Sequence, residues 1–206
     1  MLKKLVYVPI ILVGMRLTLA PLLLLDAWDG QISSLFLVGY IIAVLSDIFD
    51  GVIARRLGVS TAKLRQADSW ADICLYLCIA ASTWRVYPQV VIDFKVPLLI
   101  AAMAQISLYA IGWLKFRKFP SFHTYTAKIW GLTLLVATVR LFGFDDANTL
   151  WLAIGMCLIN SIEEIAMTFI LTAWQCDVLS IFAAIDLRNN SLLVLQDREE
   201  SKIAKP

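Results

Sequence analysis

Four aspartates carry the chemistry this chain could do. Asp47 and Asp50 stand three residues apart, and Asp68 and Asp72 four apart, in the stretch DIFDGVIARRLGVSTAKLRQADSWAD. On a helix each pair shares one face. The first pair closes an apolar run, Leu35 to Leu45, and the second opens another, Ile73 to Ala81. A charged side chain at membrane depth is costly unless something offsets it. Two such faces brought together would place four carboxylates at one point, and like charges that close cannot all ionise without cations. Hard divalent metals with oxygen ligands answer that need.

The elements that must position these residues are membrane helices. The chain has 206 residues, 60% of them hydrophobic, more than soluble domains carry. A spanning helix needs about 20 mostly apolar residues. Six candidates appear: Leu5 to Leu25, with Pro9, Arg16 and Pro21 inside it; Ile32 to Ala54; Asp68 to just before Tyr87-Pro88; Val96 to Leu114; Ala127 to Phe142; and Ala147 to Trp174. The pattern predicts an all-α, polytopic membrane bundle of six transmembrane helices, one domain over residues 1–174. A cytoplasmic tail, 175–206, is expected to form a short amphipathic helix near Val178 to Leu187 and then disorder.

Loop charges set the orientation. One side carries Lys3, Lys4, Arg55, Arg56, Lys63, Arg65, Lys115, Arg117, Lys118 and Lys128. The other carries Asp26, Asp29, Asp93, Asp145 and Asp146, with only Arg85 and Lys95 as cations. Positive-inside counting puts both termini and the aspartate stretch at the cytoplasmic face, which fits a cell inner membrane. Lys3 and Lys4 precede an apolar run too long for a signal peptide, so none is expected. The four cysteines, Cys74, Cys78, Cys157 and Cys176, have neither zinc-ligand nor disulfide-framework spacing and read as packing residues. No nucleic-acid partner is expected.

The pattern Asp47-x-x-Asp50-Gly51-x-x-Ala54-Arg55, then Asp68-x-x-x-Asp72, resembles the signature of the CDP-alcohol phosphotransferases. Seven of its eight positions match; the departure is Leu64, where the family has Gly. The resemblance implies an integral membrane enzyme that moves a phosphatidyl group from CDP-diacylglycerol to a small alcohol and releases CMP. It implies two Mg or Mn ions, with Asp47 and Asp68 bridging both, Asp50 completing one site and Asp72 the other. Two metals so placed neutralise a diphosphate well. It further implies Asp72 as general base, Gly51, Ala54, Arg55 and Thr61 around the nucleotide, and a homodimer within the bilayer. Gly51 has no side chain to obstruct a nucleotide, and Arg55 offers a planar fork of donors to phosphate. The first helix resembles the family more weakly: Pro9, Arg16 and Pro21 match, but Ile10 and Val13 replace the usual Asn and Thr. Arg16 is expected to face the bundle, with an acid of the motif or a phosphate as its partner.

The acceptor is read elsewhere. Lys128, His123 and Arg117 lie in the basic approach to the fifth helix, where a phosphorylated acceptor such as glycerol 3-phosphate would need cations. Arg140 is expected to pair with Glu163 or Glu164, a pair read as lying near mid-membrane in the sixth helix. Two other classes compete: a divalent-cation transporter using the same carboxylates, and a degenerate scaffold of the same fold, which Leu64 would suit. The clustering of acids at one membrane face favours the enzyme.

Overall fold

The computed structural model describes residues 7–57 and 61–190; of these, the side chains of residues 54, 55, 62, 63 and 65 are not described. The described residues are helical, without strands. Seven helices follow in order: α1 Val8–Asp26, α2 Ser34–Arg56, α3 Ala62–Val86, α4 Pro88–Asp93, α5 Lys95–Phe116, α6 Tyr125–Phe144 and α7 Leu150–Ile170. An eighth, α8, covers 181–190. The disorder expected beyond it, like Lys3 and Lys4, lies outside the described residues.

Among the described residues, five helices are long and apolar enough to cross a membrane: Val8–Asp26, Ser34–Ile53, Lys95–Phe116, Tyr125–Phe144 and Leu150–Ile170. Six were expected. The helix left out is α3, whose 25 residues suffice in length but include Lys63, Arg65, Asp68, Asp72 and Arg85. The last span is shorter than its apolar run suggested and stops at Ile170 rather than Trp174. Glu163 and Glu164 therefore stand within two turns of a helix end, not at its middle.

The chain forms two compact units. The first takes in the described residues up to Leu98 together with Leu135–Leu150. In it α1 packs against both α2 and α3. Its buried residues are Pro9, Val13, Arg16, Ala20 and Leu23, alternately four and three apart, which makes one stripe along the helix. Against it α2 sets Phe36, Tyr40 and Ala43, and α3 sets Ala71, Leu75 and Ile79, all buried. Ala20, Ala43 and Ala71 are wholly enclosed; small residues let membrane helices approach closely. Gly39 does the same, since a Cβ there would lie 3.1 Å from Leu23 Cδ2. Phe142 closes the core, its ring 4.7 Å from that of Phe36 and tilted 33° to it, and edge-on to Tyr87 at 5.4 Å. Arg140 pairs with Asp146 instead of a glutamate. The Asp146 carboxyl is held below the usual carboxylate range, first by the Asn148 backbone N–H and then by Arg140.

The second unit takes in Leu99–Leu134 and the described residues from Trp151 onward. Its core gathers Phe122, Met167, Leu171, Val178 and Ala184. The chain after α7 thus turns back and packs α8 against it. Lys115 donates to the carbonyls of Thr168 and Phe169 at 2.9 and 3.0 Å, satisfying acceptors that a helix end leaves free. Glu163 accepts from the Ile181 backbone N–H at 3.2 Å, and from Thr126 Oγ1. Glu164 accepts from Thr124 Oγ1 at 3.4 Å, and Asn160 accepts from both threonines at 3.0 Å. Both glutamates thus have hydroxyl partners within the second unit.

Candidate active site

The site grows out of the helix stripes of the first unit. Along α2 the buried series Phe36, Tyr40, Ala43 continues at the same spacing into Asp47 and Asp50. Along α3 the series read backwards from Ile79 and Leu75 runs into Asp72 and Asp68. Both pairs therefore face α1, where the stripe offers Arg16. The guanidinium reaches all four acids. Its Nη1 lies 3.0 Å from Asp47 Oδ1 and 3.3 Å from Asp68 Oδ1, and also pairs with Asp72. Its Nη2 lies 2.5 Å from Asp50 Oδ2. Arg16 is fully buried; Asp50 and Asp68 are 3% and 5% exposed. The Asp47 and Asp72 side chains keep 36% and 25% of their surface, so these two form the open side of the group.

Magnitudes show why a cation is needed. One oxygen each of Asp47, Asp50 and Asp68 lie within 4.8 Å of one another. At an effective dielectric of about 20, a like-charge pair at that range costs about 3 kcal/mol, and a guanidinium–carboxylate contact near 3 Å offsets about 5. Arg16 thus makes the cluster tolerable. Four carboxylates gathered on one guanidinium are oxygen donors of the kind that hard divalent cations such as Mg or Mn take. The donor set therefore fits the metals the sequence pattern calls for.

The other expected residues fall into separate groups. Gly51 follows Asp50 on α2 and is half-buried. Ala54 and Arg55 continue the same helix, but their side chains lie outside the described part. Thr61 is the N-cap of α3: its Oγ1 accepts from the Leu64 backbone N–H at 3.2 Å, a contact of the kind that satisfies a free helix donor. Arg117, His123 and Lys128 belong to the second unit. Arg117 is exposed just past the end of α5. His123 Nε2 is 3.2 Å from Ser121 Oγ. Lys128 is exposed, with its amine 5.0 Å from the centre of the Tyr125 ring.

Arg16 takes no role from the signature, but an acid of the motif is its expected partner, and a single cation inside an otherwise apolar helix is the signal. Thr124, Thr126 and Asn160 are not evident from the sequence as partners of the glutamate pair. Asn160-x-x-Glu163-Glu164 on one apolar helix was the available hint.

A family model described as CDP-alcohol phosphatidyltransferase matches residues 6–179. No curated protein and no solved structure matches the sequence.

Proposed function

The chain belongs to the CDP-alcohol phosphatidyltransferase family, and from that premise we propose that it transfers a phosphatidyl group from CDP-diacylglycerol to the hydroxyl of an alcohol. The observation that carries this reading is the convergence of Asp47, Asp50, Asp68 and Asp72 on one point between α2 and α3. In the reaction the acceptor oxygen forms a bond to the phosphorus that bears the diacylglycerol. The bridging P–O bond to the nucleotide breaks, and CMP leaves.

Asp47, Asp50, Asp68 and Asp72 would hold two Mg or Mn ions. When bound, such ions neutralise diphosphate charge and weaken the bond to the leaving group. Asp72 takes the hydroxyl proton on a carboxylate oxygen. Its partial exposure supports that role, because a base must be reachable by the group it deprotonates, whereas Asp50 and Asp68 are enclosed. Gly51 leaves the α2 backbone open to the nucleotide, and Ala54, Arg55 and Thr61 flank it, with Arg55 on phosphate. Lys128, His123 and Arg117 receive a phosphorylated acceptor, of which glycerol 3-phosphate is the leading choice.

In this reading α3 is the sixth span. Its charged first turns lie at the membrane surface and its apolar remainder, Ile73 to Trp84, crosses the bilayer. The termini and the aspartates then face the cytoplasm of an inner membrane, where a nucleotide-activated donor is made. The working unit is a homodimer, as the family resemblance implies.

The test is CMP release by purified protein given CDP-diacylglycerol, Mg or Mn, and a panel of alcohols. Metal-dependent release with one alcohol supports the reading and names the acceptor. Absence of release with every alcohol, glycerol 3-phosphate included, counts against it.

A further inference from the structure

Arg16 touches every carboxylate of the cluster, and it touches them through only two of its three nitrogens. Nη1 serves Asp47, Asp68 and Asp72, and Nη2 serves Asp50. Nε is buried without a hydrogen-bond partner. The side chain is therefore held in place from the acid side alone, and nothing on its own helix fastens it there. The residues it engages include Asp47, Asp50 and Asp68, each with one carboxylate oxygen within 4.8 Å of the others, the group best placed to ligate a metal. A divalent ion bonded to these carboxylates would compete for them with the guanidinium, and it would stand against a second buried cation. Like charges at such range repel strongly in a desolvated site.

We propose that Arg16 is an internal counter-ion that competes with divalent metal for the aspartate cage: it holds α2 and α3 together when metal is scarce and withdraws when metal enters. This rests on reading the four carboxylates as metal ligands. It gives the chain a conformational control that the aspartates by themselves do not supply. The apparent metal affinity is lowered by the fraction of molecules in which Arg16 fills the cage, and metal binding moves a side chain on α1. The withdrawn guanidinium carries its charge and its five N–H donors away from the acids, and these suit a phosphate oxygen.

The experiment is Mn2+ binding followed by the electron paramagnetic resonance of free Mn2+, on the full chain in lipid nanodiscs. Wild type is compared with Arg16→Met and Arg16→Lys. A cage filled by Arg16 in nine of every ten molecules predicts that Arg16→Met binds Mn2+ about tenfold more tightly, and Arg16→Lys by less. A second measurement uses wild type only, in case Arg16→Met does not fold without metal. The guanidinium N–H signals of isotopically labelled Arg16 should exchange slowly in chelator and quickly once Mg2+ is added. Unchanged or weaker Mn2+ affinity in Arg16→Met, or guanidinium exchange indifferent to Mg2+, overturns the inference while leaving the metal site standing. Absence of Mn2+ binding by every form overturns both the inference and the reading of the site.

Discussion

Replacing Asp72 by Asn separates catalysis from architecture more sharply than any other change at the cage. Asp72 contributes one of the three acid contacts to Arg16 Nη1 and keeps a quarter of its surface exposed. Asparagine retains a carbonyl oxygen in the same place, so Nη1 keeps an acceptor and loses only the charge behind it. Removing one negative charge from four crowded carboxylates also relieves like-charge repulsion among them, so the net loss of stability is expected to be small. Catalysis is another matter, because an amide takes no proton from a hydroxyl. Loss of a positioned general base costs about 10²- to 10⁴-fold in rate, or about 3 to 5 kcal/mol of barrier. Asp50→Ala supplies the contrast. Asp50 is enclosed and is the acid that engages Nη2, so its removal strands a buried donor at about 1–3 kcal/mol. The assay pairs CMP release with thermal unfolding of the same preparations. Asp72→Asn should melt close to wild type yet turn over at least a hundred times more slowly, while Asp50→Ala should melt clearly lower. Turnover of Asp72→Asn within about tenfold of wild type would remove it as the base. A melting loss larger than that of Asp50→Ala would refute the division of labour drawn from burial.

The remaining predictions concern what holds the cage and the units in shape. Gly39→Val puts branches against Leu23, already 3.1 Å from the first added atom; overpacking should cost about 1–3 kcal/mol in thermal unfolding and weaken Mn2+ binding, since α1 and α2 part. Gly112→Ala brings a Cβ to 2.5 Å from Pro120 Cγ, and a ring cannot swing aside, so a loss of about 1–3 kcal/mol is expected in the same measurement. Tyr87 donates to Asp145 at 2.6 Å, and burial, then that bond, push its hydroxyl up to about 12. The protonated form is the one favoured on folding, so this contribution is complete below the unfolded value of about 10 and is lost as pH rises through the folded one. Tyrosinate absorbance should show one late-titrating tyrosine fewer in Tyr87→Phe. Glu163→Ala removes the acceptor of the Ile181 N–H and should speed protease cleavage around Ser180; unchanged cleavage would mean the apolar contacts of Val178 and Ala184 suffice.

The sequence made the cage legible because both of its signals are local. Aspartates three and four apart lie on one helix face whatever the tertiary structure, and their place at the ends of apolar runs marks them as offset by something. Five of the helices are also legible, since continuous apolar runs of sufficient length have few other uses. The end of α7 was misplaced for the same reason: Leu171 and Trp174 extend the apolar run, but they serve packing and a hydrogen bond from Trp174 Nε1 to the Phe119 carbonyl, not the helix. Partners were harder to read than positions. Arg140 could meet any acid within reach, and Asp146, six residues on, lies just past its own helix end. The preference for a glutamate in another helix overlooked how little chain the local pair must order.

The cage and the core are one construction. Phe36, Tyr40, Ala43, Asp47 and Asp50 form a single stripe on α2, and Asp68, Ala71, Asp72, Leu75 and Ile79 a single stripe on α3. The surface that packs these helices on α1 therefore passes without interruption into the surface that carries the chemistry. Helices joined this way cannot simply place four carboxylates together, because the like-charge cost of about 3 kcal/mol per close pair would be charged against the same contacts that hold them. Arg16 resolves the conflict from within the stripe of α1, between Val13 and Ala20 and at their spacing. That same placement ties the two functions together. A residue that only stabilised the bundle could be a fixed ion pair, and one that only served catalysis could sit on the open side with Asp47 and Asp72. Arg16 is fully buried and bonded to all four acids, so any cation that takes the cage must take over its structural task as well. Metal binding should then raise the thermal stability of wild type less than that of Arg16→Met, because in wild type the ion replaces a counter-ion and in the variant it supplies a missing one.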